Sequence, residues 1–161
     1  MIRYEFVPDG SHILARLHAF LHKQSATATA VSGWFEVSDD EAMLAGSVDG
    51  VAEVDVRSFD FGNALLAATA RRWIDEGSAS TLRFELRSVD DDAGVAAITG
   101  DLSIGGRTET IIATAQVHRK DDQIAIEGTW PLSQRQFGLT RPAGVKDRVD
   151  IEFTLVAQRA S

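Results

Sequence analysis

His18 and His22 stand four positions apart, a spacing that puts both on one side of a helix or of a strand, where a carboxylate would complete a metal-ligand set. The pattern goes no further. Ala19 follows His18, so there is no His-Glu-x-x-His, and no metal site is expected. His22 reads instead as a hydrogen-bonded residue at the rim or mouth of a cavity. No serine lies in a Gly-x-Ser-x-Gly elbow, and no Gly-x-Gly-x-x-Gly turn follows a strand pattern. With no cysteine, the chain has no thiolate zinc site, disulfide or cysteine nucleophile. The expectation is a protein with no catalytic residue and no cofactor.

The residues that invite a functional reading are apolar. Trp34, Trp73, Trp130, Phe84, Phe137 and Phe153 are spread over separate elements that a closed fold would bring together. They either pack a solid core or line a cavity. Small residues on strand patterns (Ala15, Gly33, Ala97, Gly100, Ala113, Ala115 and Gly128) favour space left unfilled. The expected lining set is Leu17, His22, Trp34, Phe35, Leu66, Trp73, Phe84, Leu102, Trp130, Phe137 and Phe153. His22, Arg57 and Arg72 are candidates to meet a polar headgroup near the mouth.

The elements that position these residues are mainly strands. Val149, Ile151, Phe153 and Leu155 alternate with Asp150, Glu152 and Thr154, the period-two mark of one dry and one wet face. Leu82, Phe84 and Leu86 do the same, as do Ile98, Leu102 and Ile104, and Ile124, Ile126, Gly128 and Trp130 share a face. Gly105-Gly106 supplies a primed hairpin turn, and Pro131 is expected to end regular pairing. Further strands are expected at Ile2 to Phe6, Ser11 to Leu21, Ala30 to Val37 and Met43 to Arg57, with the acidic runs from Asp39 and from Asp90 in turns. One segment differs. From Asn63 to Glu76, a capping Asn precedes Ala-rich helix formers, Leu66, Ala70, Trp73 and Ile74 recur at helical spacing, and Gly77 can close the end. The pattern predicts a closed β-barrel with one inserted α-helix covering an opening.

At 161 residues without a Pro/Gly/Ser-rich linker, one domain over 1–161 is expected. A net charge of -8, spread along the chain, argues against a phosphate backbone as partner. No apolar run is long enough to span a bilayer as a helix, and the first residues carry no signal-peptide pattern. The expectation is a cytoplasmic protein without stable membrane insertion.

Taken in order, Val54 to Asn63 (VDVRSFDFGN), Ser80 to Leu86 (STLRFEL), Ile98 to Thr108 (ITGDLSIGGRT), Gln136 to Leu139 (QFGL) and Val145 to Ala157 (VKDRVDIEFTLVA) resemble the YceI-like family. They match its Ser-x-x-x-Gly-Asn turn, its Pro-Thr-Ile-x-Phe strand and its Gly-x-Leu-x-Ile-x-Gly-x-Thr hairpin. Ser80 replaces the usual Pro, and Arg107 replaces a common aliphatic residue. The resemblance implies a single eight-stranded antiparallel, lipocalin-like barrel. It also implies a binding protein, not an enzyme, whose elongated cavity takes an isoprenoid, quinone or fatty-acyl ligand for carriage or sequestration. Two alternatives stand beside it. One is a filled barrel acting as a protein-interaction module, with a second copy of the chain as one partner in a homodimer; the other is a hydrolase at the barrel mouth.

Overall fold

The computed structural model describes residues 2–19, 22–37, 49–55, 58–61, 81–92, 94–104, 106–139 and 144–160. These form strands β1 (Ile2–Phe6), β2 (His12–Ala19), β3 (His22–Ala28), β4 (Val31–Val37), β5 (Gly50–Asp55), β6 (Asp60–Phe61), β7 (Thr81–Asp92), β8 (Val95–Ile104), β9 (Arg107–Lys120), β10 (Gln123–Ser133) and β11 (Val145–Arg159). The helix expected from Asn63 to Glu76 lies outside the described residues. Among the described residues the helical structure is a short 3-10 turn, Arg135–Phe137, ended by Gly138 at φ 67, and no helix is long and apolar enough to cross a membrane.

All neighbouring strands pair antiparallel in one sheet, and the circuit β1-β4-β5-β7-β8-β9-β10-β11 closes because β11 pairs back onto β1. Eight strands therefore make a closed barrel, with every edge in that circuit paired. β1 and β2 are two halves of one stave. Residues Tyr4 to Phe6 pair with the last turn of the β11 ladder, and His12 to Ala19 pair with its earlier part. Between them Pro8, Asp9 and Gly10 bulge outward, and the buried Ser11 side chain replaces the lost ladder bonds. Its hydroxyl donates to the Val7 carbonyl at 2.6 Å and accepts from the Val156 amide at 2.9 Å. β3 and β4 form the second stave in the same way, since β3 pairs with β2 and β4 with β1.

Several local expectations are corrected. β3 has no counterpart among the expected strands: its sequence, His-Lys-Gln-Ser-Ala-Thr-Ala, carries no large apolar residue, yet Ala26 and Ala28 are buried. Asp90 to Asp92 are not a turn; they continue β7, paired with Ala97, Ala96 and Val95. Pro131 ends pairing on one side only. The β9–β10 ladder stops at Thr129–Thr114, whereas β10 stays paired with β11 through Ser133, because proline lacks the N–H that only one neighbour requires.

Inward-facing residues form two buried clusters. Tyr4, Phe35, Val37, Ala96, Ile124 and Ala157 pack the end of the barrel that holds the β9–β10 turn. Leu17, Ile104, Leu132, Phe137, Leu139 and Val149 pack toward the other end. Charges stay outside, where Arg87 bonds Asp101, Arg3 bonds Glu36 and Arg16 pairs with Glu152.

Candidate functional site

Between the two clusters the interior is open: a cavity of about 240 Å³ runs down the barrel. Its wall includes Val149, Ile151, Phe153 and Leu155 from β11, and six residue rises of a strand make that stretch about 20 Å long. Apolar side chains supply nearly all of the lining. The one charged lining residue, Glu53, commits its carboxylate to Arg83, which also bonds Glu85.

The cavity exists because large wall residues lie along the wall instead of filling the bore. Gly128 pairs directly with Phe153, and Gly100 sits diagonally from Phe84. Added methyl carbons at either glycine would meet those rings, so each phenyl rests on bare backbone. Ala15, Ala26 and Ala113 bring little volume of their own to the interior. An eight-stranded barrel is at the size where the interior is either filled by side chains or holds one small ligand, and these small residues move this chain to the second case.

Of the residues expected to line a cavity, Leu17, Trp34, Phe35, Phe84, Leu102, Trp130 and Phe153 touch it. Trp34 does so from a strand position whose ring carries the exposed Arg3 guanidinium, 4.1 Å from the ring centre. Phe137 does not form the wall; it is buried behind it, edge-on to Trp130 with ring centres 6.3 Å apart. Leu66, Trp73, Arg57 and Arg72 lie outside the described residues, as does the side chain of His22, whose backbone pairs with Ala19. Ile13, Leu86, Ile98, Ile126, Ile151 and Leu155 also line the cavity. Their period-two pattern marked them as inward, with nothing to separate lining from packing. Phe59, another wall residue, stands in a stretch with no periodic signal.

The histidine pair takes no part in the interior. His18 faces outward on β2 and its Nε2 lies 2.8 Å from Asp150 Oδ2, with Arg148 on the other carboxylate oxygen at 2.6 Å. The His18 hydrogen bond, helped by Arg148, holds the Asp150 carboxyl below its ordinary value.

The fold and its cavity define a class: a closed antiparallel, lipocalin-like barrel built around an apolar interior. The YceI-like domain family matches residues 4–157, and the chain belongs to that family. Solved structures with the same fold include Burkholderia cenocepacia BcnA, with TM-score 0.81 and 21% identity over 95% of this chain and 99% of that one. A polyisoprenoid-binding domain from Saccharophagus degradans, implicated in plant cell wall breakdown, aligns with TM-score 0.74 and 12% identity over 99% and 100% of the two chains. Campylobacter jejuni YceI aligns with TM-score 0.70 and 13% identity over 89% of each. No functionally curated protein matches the chain in sequence.

Proposed function

We propose that this protein is a non-catalytic binder of a lipophilic chain of isoprenoid, quinone or fatty-acyl type, held in the barrel interior for carriage or sequestration. The observation that carries the proposal is the apolar cavity of about 240 Å³ with its one carboxylate already paired. The Saccharophagus relative, described as polyisoprenoid-binding, supports the same ligand class.

Energetics favour a long ligand. Burial contributes about 0.8 kcal/mol per methylene, so ten methylenes give about 8 kcal/mol. Association costs at least about 4 kcal/mol of that. What remains, about 4 kcal/mol, corresponds to only millimolar affinity. Useful retention therefore needs a chain that uses the length of the cavity. The interior is not filled by side chains, which weighs against a barrel acting purely as an interaction module. On the outer surface Val95 and Ile112 are the large hydrophobics exposed among the described residues, too little apolar area to mark a protein-binding face.

Native mass spectrometry of gently purified protein, followed by organic extraction, tests the proposal. The expected result is a species heavier than the polypeptide by one lipid, released by solvent. Bare polypeptide that also fails to bind long-chain alkyl probes saturably would overturn it.

A further inference from the structure

Tyr4 is fully buried, at 0% exposure, and its hydroxyl has no hydrogen-bond partner among the described residues. Such an orphan is rare in a folded interior and requires an explanation, because the group lost its water on folding and received nothing in exchange. Its placement suggests one. Tyr4 faces inward on β1, paired with Phe35 across the ladder, and its ring stacks on Phe35 at 5.5 Å and 9°. Phe6, two residues along the same face, tilts onto Phe35 at 5.6 Å. Phe6, Phe35 and Val89 all line the cavity, and Tyr4 packs in the same cluster directly behind Phe35. Among these residues the tyrosine hydroxyl is the one side-chain polar group at that end of the apolar bore. Gln134, the buried polar residue toward the opposite end, differs because its amide nitrogen already donates to the Lys146 and Asp147 carbonyls. Those bonds fix it as a brace of the β10–β11 connection.

We infer that the Tyr4 hydroxyl is the polar terminus of the cavity and donates a hydrogen bond to an oxygen at the leading end of the ligand. The ligand class is thereby narrowed from any lipophilic chain to one with an oxygen function (hydroxyl, ether or carbonyl) at the end that enters deepest. The inference rests on the lipophilic-cavity reading above. It also accounts for the orphan: the group is unsatisfied in the empty barrel and satisfied in the loaded one.

The test is Tyr4→Phe, which removes one oxygen and leaves the ring stack in place. Hexadecane, hexadecanol and hexadecyl methyl ether are compared as competitors of a bound fluorescent fatty-chain probe, in wild type and variant. In wild type the two oxygenated chains bind tighter than the hydrocarbon. In Tyr4→Phe they lose about three- to tenfold in affinity, the worth of one neutral hydrogen bond, while hexadecane is unchanged. The empty variant melts at the same temperature as wild type or higher, since an unpartnered hydroxyl has been removed. Equal effects on all three chains, or no effect on any, would overturn the inference and leave the cavity reading standing. A clear loss of stability in the empty variant would also overturn it, because it would mean that the hydroxyl is already satisfied, for instance by a buried water. Failure of wild type to bind any of the three would sink the cavity reading itself, and this inference with it.

Discussion

Gly128→Ala probes the architecture that makes the cavity. A methyl carbon at this position would stand 2.6 Å from Phe153 Cζ, 2.5 Å from the Thr114 carbonyl oxygen and 3.1 Å from Ala115 Cα. The ring can yield, because an open volume of about 240 Å³ lies on its inner side. The Thr114 oxygen belongs to the neighbouring strand, next to its ladder partner Thr129, and cannot yield without bending β9. Overpacking of this kind typically costs about 1–3 kcal/mol. In a chain of this length that lowers the melting temperature by about 2–12 °C. The displaced ring also takes up part of the bore, so alkyl-probe affinity falls along with stability. Phe153→Leu in the same background relieves the ring contact but not the Thr114 contact. The double variant should therefore recover part of the loss, with a coupling of about 0.5–3 kcal/mol in a double-mutant cycle. Thermal melts and probe titrations of the two single variants and the double variant read out both effects. Strict additivity, or a Gly128→Ala protein as stable as wild type with unchanged probe affinity, would refute the claim that Phe153 lies on the glycine backbone to keep the cavity open.

Three further outcomes are expected. Ser11→Ala removes the hydroxyl that bonds the Val7 carbonyl and the Val156 amide at the β1–β2 bulge, leaving buried groups unsatisfied at about 1–3 kcal/mol each, measurable by chemical denaturation; a neutral result would mean that the bulge does not need it. Ala113→Phe directs a ring into the cavity, and displacing even two ligand methylenes would weaken binding about tenfold or more, so unchanged probe affinity would show that binding occurs elsewhere. Asp150 has a folded pKa below its unfolded one, chiefly through His18 and then Arg148. Its stabilisation is therefore present above the ordinary Asp value of about 3.9 and lost as pH falls through the folded value. Asp150→Asn should then be less stable than wild type at neutral pH, with the gap closing in acid melts; a gap that widens as pH falls would contradict that sign.

Strands with one strongly apolar face were legible from periodicity alone. β11 is the clearest, its Val149, Ile151, Phe153 and Leu155 all facing inward. β3 was not legible, because its buried positions are alanines opposite another strand of the same barrel, and alanine carries almost no period-two signal. The cavity lining was half legible. Inward direction follows from alternation, but whether an inward ring fills the bore or lies along the wall depends on its partner strand. Phe137 shows the limit: buried and aromatic like Phe153, it packs behind Trp130 because the turn at Arg135–Phe137 carries it outside the bore.

Alone, the order of alternating segments, the glycine hairpin and the missing catalytic motifs determined an all-β binding barrel of the YceI-like type. Local pattern suffices for this, since each strand declares its own dry face. Tertiary structure decided what lies inside. Gly100 and Gly128 become resting places for Phe84 and Phe153 only once strands distant in sequence are set side by side, and His18 faces Asp150 only after β2 pairs with β11. The orphaned Tyr4 hydroxyl is likewise invisible until closure of β1 against β11 and β4 seals it from water. The physical reason is the same in each case: whether a side chain fills space, leaves it open or loses its solvent is a property of what stands opposite, and register across the barrel, not sequence neighbourhood, sets that.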